Sequence, residues 1–159
     1  MVGISVGLNR GIFKKIKEYH FKIFIIPLAT IVASILGGIV CSFILRIDMN
    51  VSTAITSGLG WYSLSGIMIT DLTGDATLGS ITFLSNLMRE IFSFLMIPII
   101  AKKLNYMTCI APCGATSEDT TLAMIIKYTD EETTVLSVMN GFITSTLVPI
   151  LINLCFMIF

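Results

Sequence analysis

Charged residues are scarce in this sequence, and neither sign of charge dominates. Only 13% of its 159 residues are Asp, Glu, Lys or Arg, and ten basic residues balance ten acidic ones. A net charge of zero gives no reason to expect a polyanionic partner, and no RNA- or DNA-binding motif is present. We therefore expect no nucleic acid among the partners of this protein.

Residues that commonly carry enzyme or metal chemistry are also few. There is one histidine, His20, and the four cysteines all lie in apolar sequence: Cys41, Cys109, Cys113 and Cys155. Cys109 and Cys113 lack the nearby histidine or second cysteine pair of a zinc site, so packing is the expected role of all four. No Walker motif, catalytic triad, HExxH or CxxC pair occurs. The sequence predicts neither an enzyme nor a cofactor.

Long apolar runs dominate instead, since 55% of the residues are hydrophobic. Ile23–Leu45 contains 23 residues without a charge, and residues 133–159 contain 27. At about 1.5 Å per residue, either run covers a hydrocarbon core of about 30 Å. A third run, residues 76–101, is interrupted only by Arg89 and Glu90. We expect an all-α polytopic membrane protein with three full transmembrane helices.

Two further segments are unusually polar for membrane helices. Residues 49–70 carry no charge but contain seven hydroxyl residues and three glycines. Residues 104–126 contain the helix breakers Pro112 and Gly114, with polar residues directly after them. Glycine lets the backbone bend, and hydroxyl groups can bond the amides that bending exposes. Each segment is predicted to be a broken or re-entrant helix that lines a cavity.

The positions of the charged residues favour a re-entrant course for both polar segments, in which each enters the membrane and returns to the same side. Residues 10–22, Lys102, Lys103 and Lys127 then share one face, which the positive-inside rule makes cytoplasmic. Residues 1–22 are expected to be the tail of a helix and a basic cytoplasmic loop, and residues 23–159 the membrane domain. The sequence also repeats one pattern, a long apolar run followed by one of the two polar segments, at an offset of about 55 residues. An inverted repeat would give this pattern.

The most informative run is residues 114–121, where Glu118 and Asp119 follow small and hydroxyl residues. An acidic side chain at the centre of a membrane helix costs about 2.5–3.5 kcal/mol, so acids rarely lie there without a role. One of the two carboxylates could hold a substrate ammonium group or a coupling proton. Alternatively, the segment emerges into water and both acids are solvated. Asp119 could also cap the helix that follows.

The third run contributes three polar side chains. Arg89 and Glu90 point about 100° apart on a helix, so each needs its own partner. Arg89 suits a carboxylate from a substrate or from the protein, and a structural ion pair is an equally open reading. Asn86 lies one turn before Glu90 and is expected on the same face.

The first polar segment, residues 49–70, contains Trp61 and Tyr62 between glycines, followed by Ser63 and Ser65. Trp and Tyr often anchor a protein at the membrane interface. Their position within a charge-free, glycine-rich segment instead favours the tip of a bent element that forms the wall of a pocket.

Three motifs together resemble the LysO family of L-lysine exporters: GWYSLSG at 60–66, LSNLMRE at 84–90 and APCGATSEDTTL at 111–122. The resemblance implies an exporter of the cell inner membrane for lysine or lysine-like compounds. We expect this secondary transporter to work by alternating access around a site near the midplane. The resemblance also implies that Asp119 is the intramembrane aspartate that matters for export. The expected substrate-binding residues are Asp119, Glu118, Thr120, Trp61, Tyr62, Ser63, Ser65, Asn86 and Arg89, with Glu90 as a structural or charge-relay residue.

Members of that family are about twice as long, and this chain resembles their C-terminal half. We therefore expect a separate membrane protein to supply the N-terminal half, or else a homo-oligomer. A proton or another cation could couple to transport. The alternative function is a non-transporting scaffold or regulatory subunit of another membrane complex, which would have no need of acids at membrane depth.

Overall fold

The computed structural model describes residues 22–158, which form six α-helices and two short 3₁₀ turns with no strand among them. The α-helices are α1 Lys22–Leu45, α2 Met49–Thr56, α3 Tyr62–Thr73, α4 Ala76–Lys103, α5 Leu122–Tyr128 and α6 Glu131–Ile158. The 3₁₀ turns are Met107–Cys109 and Gly114–Glu118. The predicted helix tail and basic loop at residues 1–22 lie outside the described residues, apart from Lys22, which opens α1.

Three of the described helices are long and apolar enough to cross a membrane: Ile23–Leu45, Ala76–Lys103 and Glu131–Ile158. This confirms the three predicted spans. Helices α1 and α6 run in the same direction, because their first turns share the cluster of Ile23 and Leu136 and their later turns share that of Ile31 and Val148.

Helix α4 runs in the opposite direction. Ala101, near the end of α4, packs against the same cluster as Val138, which lies in the first third of α6. The start of α4 therefore lies at the end of the bundle where α1 and α6 finish.

The first polar segment folds into a helical hairpin, which we call hairpin 1 (residues 49–73). Helix α2 runs back along α1, and the Ser52 hydroxyl donates a 2.8 Å hydrogen bond to the carbonyl of Gly38. The chain then breaks, and α3 returns beside α4, with the Tyr62 ring edge-on to Phe83 at 5.1 Å. Because α4 begins directly after α3, hairpin 1 enters and leaves at the same end of the bundle.

The turn from α3 into α4 is closed by a helix cap. The Asp75 carboxylate accepts a 2.7 Å hydrogen bond from the amide of Thr77, and this bond lowers the pKa of Asp75. Ionised aspartate at an N-cap satisfies a free amide in the first turn of the helix. The turn that joins α3 to α4 is therefore also the start of the second span.

The second polar segment forms hairpin 2 (residues 105–128), which enters from the opposite end. After α4 ends, the two 3₁₀ turns lead inward and α5 leads back, so that Tyr128 packs against the same cluster as Ala101. Lys102, Lys103 and Lys127 therefore lie at one end of the bundle, where α1 also begins. Both segments are re-entrant, as predicted.

The two hairpin tips meet inside the bundle. The amide of Ala115 donates a 2.9 Å hydrogen bond to the carbonyl of Leu59. Gly60 and Gly114 both have positive φ, 96° and 57°, a conformation that glycine adopts without steric cost. These two glycines are 54 positions apart in the sequence, close to the predicted period. Two antiparallel spans, each followed by a hairpin, give the arrangement of an inverted repeat.

Candidate functional site

Asn86 holds the tip of hairpin 1 from helix α4. Its side-chain oxygen accepts a 2.8 Å hydrogen bond from the amide of Gly60, and its side-chain nitrogen donates a 3.0 Å bond to the carbonyl of Ile55. A break in a membrane helix frees backbone groups that lipid cannot bond, so a buried amide side chain is well suited to close it. Asn86 thereby fixes the backbone that carries Trp61 and Tyr62.

Asn140 holds the tip of hairpin 2 from helix α6 in the corresponding place. Its nitrogen donates a 3.0 Å hydrogen bond to the carbonyl of Gly114 and a 2.8 Å bond to the Ser117 hydroxyl. Ser117 and Ser137 also exchange hydrogen bonds between hydroxyl and carbonyl, at 2.9 and 2.7 Å. In both hairpins the glycine and its asparagine are 26 residues apart.

Beside the meeting tips lies a cavity of about 210 Å³, which we call the acidic cavity. Three of its lining residues are carboxylic acids: Glu90, Glu118 and Asp119. Its other lining residues are Gly60, Trp61, Tyr62, Ser63, Ala115, Thr116, Thr120 and Ser145. No lysine or arginine is among these residues. The cavity combines negative charge, two aromatic rings and several hydroxyls, which suits an organic cation.

The three carboxylates have different surroundings. Asp119 is exposed and accepts hydrogen bonds only from its neighbour, from the amide and hydroxyl of Thr120. Glu118 is half-buried and accepts a 2.8 Å bond from the Ser145 hydroxyl. Glu90 is buried, with 6% of its surface exposed. Asp119 is therefore the carboxylate most free to meet a ligand.

The suggestion that Asp119 caps the following helix is corrected by the structure. The N-cap position of α5 is occupied by Thr121, two residues later. Asp119 instead has a non-helical backbone, with φ −128° and ψ −89°, at the end of the second 3₁₀ turn. Its side chain stays beside the cavity because the helix begins only after the chain has turned.

Gly141 lets hairpin 2 approach helix α6 at the level of Glu118. A Cβ atom at this position would lie 2.5 Å from the Cβ of Glu118 and 2.6 Å from its amide nitrogen. Contacts that short do not occur between packed atoms. The absent side chain at Gly141 therefore allows Glu118 to reach Ser145.

Three of the predicted binding residues do not line the acidic cavity. Ser65 is buried and donates a 2.8 Å hydrogen bond to the carbonyl of Trp61. Asn86 lies behind the tip that it bonds. Arg89 points to the other side of hairpin 2, where it donates to the carbonyl of Pro112 at 3.1 Å and to the hydroxyl of Ser34 at 2.8 Å.

Helix α6 supplies site residues that the sequence reasoning missed. They belong to the apolar run at residues 133–159, and the sequence did not predict them as site residues: Ser137, Asn140, Gly141 and Ser145. Their spacing of three and four residues places them on one face of the helix, and that polar stripe was the available signal. Among the described residues, no group of three His, Cys, Asp or Glu side chains could hold a metal ion.

The protein is therefore a polytopic membrane protein in which two opposed re-entrant hairpins meet beside a polar cavity, an arrangement also found in transporters with inverted repeats. Sequence comparison identifies its family. The family profile described as lysine exporter LysO matches residues 1–156, and the chain belongs to this family.

Two relatives are similar over much of the chain. The protein named lysine exporter LysO of Escherichia coli K12 is 36% identical over 152 residues, which are 96% of this chain and 50% of the relative. A protein of Haemophilus influenzae named putative lysine exporter is 37% identical over 120 residues, 76% of this chain and 60% of the relative. The chain thus spans about half the length of the curated relatives it matches. No solved structure matches it.

Proposed function

We propose that this chain is the C-terminal half of an exporter of L-lysine or related cationic amino acids. The observation that carries the proposal is the acidic cavity, where Glu90, Glu118 and Asp119 lie together without a basic residue. A cation gains most from such a site, because the carboxylates and aromatic faces replace its lost hydration. The names of the two relatives support lysine as the substrate.

Within this proposal, Asp119 holds an ammonium group of the substrate or exchanges a coupling proton or other cation with it. Its carboxylate has only local hydrogen bonds from Thr120, so little must break when a ligand arrives. Glu118 accepts a hydrogen bond from Ser145, so its carboxylate supplies a second negative charge in a more fixed position. Trp61 offers an aromatic face to the cation.

The remaining predicted residues divide into two groups. Tyr62, Ser63 and Thr120 line the cavity and would contact the substrate. Ser65 and Asn86 would act indirectly, because they hold the backbone of the wall that Trp61 belongs to. Glu90, buried at the edge of the cavity, keeps its proposed structural or charge-relay role.

Alternating access would follow from the opposed hairpins. Hairpin 1 approaches the cavity from one end of the bundle and hairpin 2 from the other, so movement of either would open the site to its own side. In transporters with such repeats, the site stays near the midplane while one element moves against another. The left-handed backbone at Gly60 and Gly114 marks where each hairpin would bend.

We further propose that a separate N-terminal-half membrane protein, or failing that a second copy of this chain, completes the transporter in the cell inner membrane. The relatives contain about as much sequence again that this chain does not match, and such a partner would supply it. The end of the bundle that carries Lys102, Lys103 and Lys127 would face the cytoplasm, because basic residues accumulate on that side.

Efflux from intact cells tests this function. Cells are loaded with a lysine-containing dipeptide, and the appearance of lysine outside is followed with this chain expressed alone, with its N-terminal partner, and with neither. We expect export above background only with both halves. No export with either combination, when both proteins are present in the membrane, would favour the scaffold or regulatory alternative.

A further inference from the structure

Arg89 carries a charge that no described residue neutralises. It lies in the middle of α4, and its two hydrogen bonds go to neutral oxygens, on Pro112 and Ser34. No carboxylate among residues 22–158 forms an ion pair with it. An arginine at membrane depth normally pairs with an acid or with backbone carbonyls. The Pro112 carbonyl and the Ser34 hydroxyl take only two of the five N–H donors of the guanidinium, so its other donors and its charge are open to a group from outside the described residues.

Arg89 borders a groove of about 640 Å³ that shares no lining residue with the acidic cavity. One wall of this groove is a stripe of small residues on α1 at intervals of four: Ala29, Ala33, Gly37 and Cys41. No described residue covers the stripe, and a Cβ atom at Gly37 would meet none of the residues 22–158 within 4 Å. We call this surface the Arg89 groove.

The length of the Arg89 groove indicates what fills it. From Ala29 to Cys41, the stripe extends along α1 for about 18 Å, at about 1.5 Å per residue. A small anion would occupy one point beside Arg89 and leave the rest of the stripe open. A transmembrane helix would cover it all, because small residues every fourth position let two helices approach closely.

We propose that a transmembrane helix of the N-terminal half docks in the Arg89 groove and places an Asp or Glu side chain on the Arg89 guanidinium. The proposal rests on the proposed split transporter. An acid on that helix would complement the charge of Arg89, and the part of the relatives that this chain does not match would be the source of such a helix.

The ion pair would also connect docking to the transport site. Arg89 donates to the carbonyl of Pro112, which lies two residues before Gly114 at the tip of hairpin 2. The guanidinium fork can bond this carbonyl and a carboxylate at the same time. A docked partner would therefore fix the tip through contacts outside the acidic cavity.

Co-purification tests the docking surface. The probe is the host's own membrane protein that matches the other half of the E. coli relative, co-expressed with this full chain carrying an affinity tag. We expect Gly37→Trp to reduce recovery of the probe at least tenfold, because the indole would fill the groove. Val32→Trp is the matched control, since Val32 is exposed on α1 but does not line the groove. Failure of the unaltered chain to recover the probe, or recovery unaffected by Gly37→Trp, overturns the proposal.

The ion pair is tested by substitution on both sides. Arg89→Gln should reduce recovery about tenfold, and so should changing one intramembrane Asp or Glu of the probe to its amide. The two changes together should reduce recovery no further, and Arg89→Glu should be rescued by Arg at that probe position. Recovery that depends on Gly37 but is unchanged by Arg89→Gln would contradict the pair.

Cys41 provides an independent readout within the groove. It is exposed, whereas Cys109, Cys113 and Cys155 are buried. Maleimide labelling of Cys41 in the chain purified alone should fall at least fivefold when the probe is bound. Protection of Cys41 in the chain alone would overturn the proposal, and it would point to a second copy or to residues 1–21 as the occupant. These assays do not depend on export, so loss of docking and loss of the proposed function are distinguishable.

Discussion

The backbone of Leu59 accepts a 2.9 Å hydrogen bond from the amide of Ala115, and this bond joins two hairpins that enter the bundle from opposite ends. Leu59 is fully buried and has a φ of 50°, which is rare for a residue other than glycine. A Cβ atom at Gly114 would collide with the Leu59 carbonyl oxygen. The contact thus depends on a strained backbone in one hairpin and an absent side chain in the other, directly beside the acidic cavity.

Gly141→Ala should destabilise the protein. The added methyl group would overlap Glu118 and push hairpin 2 away from α6, and overpacking of this kind costs about 1–3 kcal/mol. Gly37→Ala is the matched control, because nothing lies near its added methyl group. In thermal unfolding in detergent, Gly141→Ala should have a lower Tm than the unaltered protein, whereas Gly37→Ala should not. Equal Tm values for the two variants would contradict the described packing of α6 on hairpin 2.

Both asparagines should stabilise the protein. Asn86→Ala leaves the buried amide of Gly60 without a partner, and Asn140→Ala removes two hydrogen bonds from the tip of hairpin 2, so each should cost about 1–3 kcal/mol. Asn153→Ala should change little, since Asn153 is exposed and bonds only its own helix. The measurement is the midpoint of denaturation in detergent. A loss confined to one of the two asparagines would mean that the hairpins are not held in the same way.

Ser145→Ala should weaken substrate binding without removing transport. Glu118 would lose its hydrogen bond and swing within the cavity, so we expect a severalfold rise in KM for lysine efflux with a smaller change in the maximal rate. Thr146→Ala is the neighbouring control, since its hydroxyl is exposed and bonds only within α6. An unchanged KM would separate Glu118 from substrate binding.

The orientation of the hairpins can be checked by labelling. Lys103→Cys and Lys127→Cys, each in a background without the four native cysteines, should react from the same side of the membrane. Asp75→Cys should react from the opposite side, because the turn before α4 lies at the other end of the bundle. The labelling reagent is a membrane-impermeant maleimide, applied to intact cells and to inverted vesicles. Lys103 and Lys127 on opposite sides would exclude the re-entrant course of hairpin 2.

The main features of the fold could be predicted from the sequence because they depend on composition. Apolar runs of 23 residues or more have few alternatives to a membrane span, and glycine with hydroxyl residues in a charge-free run indicates a broken helix. Both signals are local. The return of each hairpin to its own side was also predictable, from the positions of the lysines.

The site was predictable only in part, because its geometry depends on contacts between distant segments. Asp119, Glu118 and Trp61 stood out as chemically unusual in a membrane protein, and the fold brings them to one cavity. Arg89 and Asn86 were equally unusual, yet neither lines the cavity. Arg89 diverges from its neighbour Glu90 on α4, and Asn86 lies behind the tip that it bonds. Ser145 and Gly141 lay unnoticed within an apolar run, and their importance appears only when hairpin 2 packs on α6.

The role of Asp119 in lysine transport is tested by uptake of radiolabelled lysine into liposomes. These liposomes contain both halves of the transporter and are preloaded with unlabelled lysine. The compared variants are Asp119→Asn and Asp48→Asn, the second being a matched change at an exposed aspartate without a capping hydrogen bond. We expect exchange in the unaltered complex and in Asp48→Asn, and at least a tenfold lower rate in Asp119→Asn at equal protein content. Undiminished exchange in Asp119→Asn would show that this carboxylate does not take part in transport.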